Sequence, residues 1–250
     1  MLIPDNKARL QRMNEKIFIL LNFLKAETYS DFVTLKRLFK YQDARPLYRL
    51  LEKVEGMGLI QKYVFESRVG SLALWGITQD GIAVVITPDD QIFPSRFEPS
   101  KLKGWSLDHH LDNQLAHLIL AQKGATDWIN GDRNTFLNQF KVKHRPDGLI
   151  TLPNGKRIAI ETERSLKTKA RYQQIIQSHL GARASEPPLW FNVFYVVPDE
   201  QKKRALMLLF ENITYVVVNN QQVKLEAKHR RVFRFYTMDE LQALDLNHEI

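Results

Sequence analysis

Residues 141–171, KVKHRPDGLITLPNGKRIAIETERSLKTKAR, hold nine Lys or Arg and three acids, Asp147, Glu161 and Glu163. Two extended runs flank Pro153-Asn154-Gly155, whose residue types suit a tight turn, so the stretch reads as strands Phe140–Leu152 and Arg157–Glu163 joined as a hairpin. Side chains alternate along a strand. Glu161 and Glu163 therefore share a face with Ala159, and Ile158, Ile160 and Thr162 point the other way. Asp147 stands between Pro146 and Gly148, where the strand bends, and the hairpin can bring it beside the Glu pair. Three carboxylates gathered in this way repel one another unless a cation lies among them. Mg²⁺ or Mn²⁺ suits such a cluster, because each takes carboxylate oxygen and water and bridges to phosphate. The surrounding Lys and Arg suit a phosphate backbone. The plainer alternative is the wet face of an edge strand, with Asp147 in a turn.

Working outward, a helix at 165–181 carries Lys167, Lys169 and Tyr172. An apolar strand at 190–197, a helix at 199–210, strands at 215–218 and 232–237 and a helix at 239–244 complete the chain. Upstream lie a helix at 107–123 and a short strand at 126–129. On the helix, His110, Asn113 and His117 share one face, for which a solvated surface is the plainer reading. Tyr172 is in principle a nucleophile towards phosphate, and packing is its plainer role. Lys228-His-Arg-Arg231 reads as a basic patch.

Residues 88–105 contain three prolines and little periodicity, and read as a linker or strap. Before them, helices at 5–26, 31–40 and 43–57 precede strands at 59–65 and 71–77 and a short helix opened by Thr78. Three helices and a hairpin are the pattern of a winged helix-turn-helix. Arg45, Tyr48, Arg49 and Lys53 give its third helix a basic, partly aromatic outer face suited to a major groove, and Arg68 at the wing tip suits a phosphate or minor groove. The expected domains are a DNA-binding unit at 1–88, a linker at 89–105 and a second domain at 106–250.

Composition narrows the classes. The 250 residues are 44% hydrophobic and 26% charged, an ordinary globular balance. No cysteine is present, which excludes disulfides, thiolate metal sites and cysteine nucleophiles. The net charge of +8 is shared evenly by the residues before and after Pro88, so both halves suit a polyanion. There is no P-loop, GxGxxG or GxSxG, and so no support for ATPase, dinucleotide or serine-hydrolase readings. No apolar run reaches the roughly 20 residues of a membrane span and no secretory signal opens the chain, so a cytoplasmic protein is expected.

Arg145-Pro-Asp147 followed after 13 residues by Glu161-Thr-Glu163 resembles the PD-(D/E)xK restriction-endonuclease-like nucleases, with Glu163 in place of the usual Lys. Lys167 and Lys169 are candidates for a Lys moved to the following helix. With the winged-helix pattern ahead of it, the chain resembles the replication-relaxation proteins, and among them the MOBC-type plasmid mobilisation relaxases. That resemblance implies an α/β (α+β) fold, a winged helix-turn-helix followed by a restriction-endonuclease-like mixed sheet flanked by helices. It also implies a Mg²⁺- or Mn²⁺-dependent endonuclease that nicks one strand of double-stranded DNA at a plasmid transfer origin, with accessory relaxosome and coupling proteins as partners. The metal ligands carried over are Asp147, Glu161 and Glu163, and the catalytic set adds Lys169 and Lys167. The general base is open between Glu163 and a Lys. Cleavage by a metal-activated water is expected over attack by Tyr172. The alternative is a DNA-binding replication or transcription regulator whose nuclease-like domain is inert.

Overall fold

The computed structural model of the chain describes residues 5–67, 70–90, 92–218 and 221–246, the side chains of Asn134 and Thr135 excepted. It is a mixed α/β protein that divides into two compact units, 1–114 and 115–250. No helix of the described residues is long and apolar enough to cross a membrane.

Unit 1 opens with α1 (Asn6–Glu27), capped by Asp5, whose side chain accepts from the Lys7 N–H at 2.9 Å. Ile17, Leu20, Leu21 and Leu24 form its buried stripe. A short strand β1 (Tyr29–Asp31) follows, and Asp31 then caps α2 (Phe32–Leu38) by accepting from the Thr34 N–H at 2.8 Å. Pro46 lies in the first turn of α3 (Arg45–Gly56), where a missing N–H costs nothing. Leu47, Leu50, Leu51 and Val54 are its buried face. Strands β2 (Ile60–Ser67) and β3 (Gly70–Ile77) pair antiparallel, and β1 joins the outer side of β3 to give the order β1-β3-β2. Helix α4 (Gln79–Val85) starts at Thr78, whose hydroxyl accepts from the Gly81 N–H at 3.1 Å.

The expected boundary at 88–105 is displaced. Phe97 is only 2% exposed, its N–H donates to the Ile77 carbonyl at 2.8 Å, and its ring lies against Tyr29. A Cβ on Gly76 would sit 2.1 Å from that ring, so the glycine makes room for the aromatic. Leu107 and Leu111, from α5 (Gly104–Gln122), join Phe97 and Leu74 in one apolar cluster. Gln114 accepts from the Ser30 hydroxyl at 2.6 Å. Burial of these side chains makes 89–114 part of unit 1, and the division falls within α5.

In unit 2, the strands β4 (Thr126–Asn130), β5 (Gly148–Thr151), β6 (Arg157–Thr162), β7 (Asn192–Val197) and β10 (Phe233–Thr237) form a sheet of order β10-β7-β6-β5-β4. β10, β7 and β6 run parallel, and β6, β5 and β4 are antiparallel. Between these strands the chain forms α6 (Asn134–Gln139), α7 (Lys169–Arg183), α8 (Glu200–Glu211), the hairpin β8 (Tyr215–Val218) and β9 (Gln221–Lys224), and α9 (Ala227–Arg230). Helix α10 (Met238–Ala243) follows the last strand. One sheet face, with Ala159, Val193 and Tyr195, packs on Tyr172, Ile175 and Ile176 of α7 and on Leu206 and Phe210 of α8. The other, with Ile158, Ile160 and Phe194, packs on Ile119 and Leu120 of α5 and Leu241 of α10. Alternation along β6 therefore points Glu161 to the α7 side.

Two local expectations change. The strand expected over 140–152 is confined to Gly148–Thr151, because Pro146 has no N–H for a ladder and the preceding residues leave the sheet after α6. The basic patch at 228–231 lies largely in α9, where Arg230 is not a free surface cation: its guanidinium donates to the carbonyls of Phe210 and Ile213, each at 2.8 Å.

Candidate active site

The segment 131–147 delivers two site residues to the start of β5. Gly131 donates its N–H to the Asp147 carbonyl at 2.8 Å, and a Cβ at Gly131 would lie 1.8 Å from the Pro146 carbonyl oxygen. Only a glycine lets these backbones approach so closely. Arg145 pairs with Asp132 at 2.6 Å, and the His144 N–H donates to the Ser178 hydroxyl of α7 at 3.0 Å. His144 and Asp147 are thus held from both sides.

Each of the three acids has its own neighbours. Asp147 accepts through one oxygen from the Thr162 N–H at 2.7 Å and the Thr162 hydroxyl at 3.0 Å. Glu161 is buried, and its Oε1 lies 2.8 Å from His144 Nε2 and 3.1 Å from His179 Nε2. Glu163 is buried too, accepting from the Tyr172 hydroxyl at 3.0 Å and pairing with Lys167 Nζ. Lys169, the first residue of α7, is exposed and bonds to none of the three. The structure therefore brings Lys167, rather than Lys169, to the acids.

Burial disfavours the Glu161 carboxylate, yet hydrogen bonds from His144 and His179 outweigh that cost and bring its pKa down to about 2. Burial pushes His179 down, against the pull of Glu161. Tyr172 is pushed up by burial and by the Glu163 charge. Tyr195, opposite Glu161 on β7, is raised by burial and then by Glu161 and Glu163, and its buried hydroxyl has no hydrogen-bond partner.

Among the described residues, the group of side chains whose donor atoms all lie within 4.8 Å of one another is His144, Glu161 and His179. Asp147 and Glu163 are not part of it. Mg²⁺ calls for an all-oxygen octahedral shell, whereas two imidazole nitrogens and a carboxylate suit Mn²⁺, Co²⁺ or Zn²⁺.

His144 and His179 were not among the expected site residues. The signal for His179 lies in the spacing of α7: Tyr172, Ile175, Ile176, His179 and Ala182 are its buried positions, so a histidine occupies the helix face turned towards the strand that carries Glu161. His110 and His117 are not on a solvated face. His110 Nε2 lies 3.0 Å from the Glu27 carbonyl. His117 stacks on Trp128 with ring centroids 4.5 Å apart, and burial lowers its pKa to about 4.

Arg45, Tyr48, Arg49 and Lys53 are all exposed on α3, opposite its buried stripe. Tyr48 stacks on Phe32 at 4.4 Å, which leaves a firm aromatic surface among the cations. Arg68 lies outside the described residues. In unit 2 a mainly apolar groove of about 690 Å³, with Val142, Leu189, Val216 and Leu225 in its lining, also has Lys141, Lys143, Arg183 and Lys228 at its walls and Ser178, the partner of His144, beside them. Comparison with protein-family models, with characterised proteins and with solved structures finds no match for this chain.

Proposed function

We propose that the chain is a divalent-cation-dependent endonuclease that nicks one strand of double-stranded DNA, acting as a relaxase at a plasmid transfer origin. Unit 1 is read as a winged helix that holds duplex DNA through α3, and unit 2 as a restriction-endonuclease-like domain that cuts. The observation that carries the reading is Glu161: a buried carboxylate kept ionised on a sheet strand, flanked by Asp147 and by the Glu163–Lys167 pair.

A bound divalent cation supplies polarisation of the scissile phosphate and a more acidic water. Residues around Glu161 would hold it. Asp147 fixes the end of β6 through Thr162. Lys167 offsets the Glu163 charge and brings a cation close to where a phosphate would lie. Lys141, Lys143 and Arg183 line the groove next to His144 and suit a phosphate backbone. Cutting is by hydrolysis: water adds to phosphorus, one phosphate ester bond breaks, and the ends carry a phosphate and a hydroxyl. Tyr172 is a poor nucleophile, since it is fully buried and its hydroxyl is engaged with Glu163.

The competing reading is a DNA-binding replication or transcription regulator with an inert nuclease-like domain. It draws on the local partners that each acid already has. The two separate in one assay: supercoiled plasmid carrying a transfer origin, incubated with the full chain with and without Mn²⁺ or Mg²⁺. Cation-dependent conversion to the open-circular form supports the nuclease. Tight binding without any conversion supports the regulator.

A further inference from the structure

We infer that His144, Glu161 and His179 form a binding site for one divalent transition-metal ion of the Mn²⁺, Co²⁺ and Zn²⁺ class. The inference rests on the nuclease reading in taking Glu161 as the centre of the site, and it replaces an all-carboxylate metal shell with a two-histidine, one-carboxylate shell.

The three groups come from three separate elements. Glu161 stands on β6, His179 on α7 and His144 in the segment leading to β5. The His144 backbone is pinned to Ser178, the neighbour of His179, so the two rings are held in a fixed relation, 5.3 Å between centroids and close to perpendicular. Both Nε2 atoms converge on the same Glu161 oxygen, at 2.8 and 3.1 Å. An ion with bonds of about 2.1 Å keeps adjacent donors roughly 3 Å apart, so two of the three donor separations already match a shared ion.

Burial gives the second argument. His179 is fully buried, its Nδ1 has no hydrogen-bond partner, and its hydrogen bonding is directed at Glu161. Placing two imidazoles and a carboxylate between a sheet and a helix costs more than filling the space with apolar side chains. A cation among them balances the Glu161 charge and takes the two converging Nε2 atoms as ligands in place of their hydrogen bonds to Oε1. His144 is the open member, with 13% of its side chain exposed, and gives an ion a way in from solvent. Nitrogen donors favour Mn²⁺, Co²⁺ or Zn²⁺ over the oxygen-seeking Mg²⁺.

The test uses the full chain, stripped with chelator and titrated with Co²⁺ while the visible d–d absorption is followed. One equivalent is expected to bind with a visible spectrum, and millimolar Mg²⁺ is expected not to displace it. His144→Ala should weaken Co²⁺ binding by at least about tenfold. His179→Gln should act like His144→Ala. If that buried substitution fails to fold by circular dichroism, His144→Ala still decides, because His144 is partly exposed and lies outside any helix or strand. Unchanged Co²⁺ affinity in His144→Ala, or equal competition by Mg²⁺, overturns the site. A chain that binds Co²⁺ through His144 yet nicks no DNA upholds the site and rejects the nuclease reading. A chain that nicks with Mg²⁺ while His144→Ala binds Co²⁺ as the wild type does rejects the site and leaves the nuclease reading standing.

Discussion

Glu161 is buried yet held in its charged form, and Glu163 and Asp147 are each tied to a different neighbour. Glu161→Gln is expected to slow nicking of supercoiled DNA by at least about 100-fold, with DNA affinity within about twofold of wild type, since most affinity comes from basic surfaces. Asp147→Ala should behave alike by loosening the end of β6. Wild-type nicking by either variant in a gel assay rejects the assignment. Tyr172→Phe should keep nicking and lose only a hydrogen bond to a charged acceptor, about 1–3 kcal/mol of stability in denaturant unfolding. A protein–DNA adduct that survives denaturation, and disappears in Tyr172→Phe, would restore the tyrosine as nucleophile. His117 carries a pH dependence of its own. Its folded pKa of about 4 lies below the ordinary 6.5, so the unfolded chain binds the extra proton between these values. The stability it contributes is complete above pH 6.5 and is lost as pH falls towards 4, by up to about 3 kcal/mol. Thermal melts of His117→Phe should show a shallower decline across that window than wild type.

At the scale of elements, the helices and hairpin of unit 1 were legible because their apolar stripes and caps are local: Leu47, Leu50, Leu51 and Val54 declare one face of α3, and Thr78 declares the start of α4. The sheet position of Glu161 was legible for the same reason, from the alternation of Ile158, Ala159 and Ile160. What was hidden depends on contacts distant in sequence. β1 is three residues long and exists through pairing with β3, 43 residues further on between Asp31 and Leu74. His144 and His179 meet Glu161 from 17 and 18 residues away, and although His144 directly precedes Arg145-Pro-Asp147, no local pattern marks either as a partner of Glu161. The segment between β4 and β5 also defeats local reading, since its path depends on Gly131 lying against Pro146. Gly131→Ala is therefore expected to cost about 1–3 kcal/mol or more in denaturant unfolding and to slow nicking by displacing His144 and Asp147. On α3, Arg49→Ala should weaken specific DNA binding by about 1–3 kcal/mol if it meets a base edge, read by titration of labelled duplexes. Lys141→Glu with Lys143→Glu should instead weaken binding to all sequences and make it less salt-dependent.

For the whole molecule, the position of the division decides which fragments fold. A boundary at Pro88 suits a chain whose proline-rich stretch is a free tether, and a fragment 1–88 would then be complete. The packing of 89–114 argues otherwise. Removing it strips Phe97, Leu107 and Leu111 from Leu74 and takes away the ring that fills the space above Gly76. It also removes the Gln114 partner of the buried Ser30 hydroxyl and the His110 contact with the Glu27 carbonyl. Exposing large apolar side chains costs about 1.5–3 kcal/mol each, and an unpartnered buried hydroxyl costs about 1–3 kcal/mol more. These losses together rival the 5–15 kcal/mol that a domain has in total. A fragment 1–122, which keeps α5 whole, is expected to unfold cooperatively on heating and to bind duplex DNA weakly through α3. Fragment 1–88 is expected to melt at a much lower temperature or to show no cooperative transition. Circular dichroism melts of the two fragments, followed by duplex titration at low salt, check both statements. Equal melting temperatures would return the boundary to Pro88 and make 89–114 a tether. A cooperative 1–122 fragment inert towards DNA would leave the fold of unit 1 as described and move DNA binding entirely to the cations of unit 2, Lys141 and Lys143 among them.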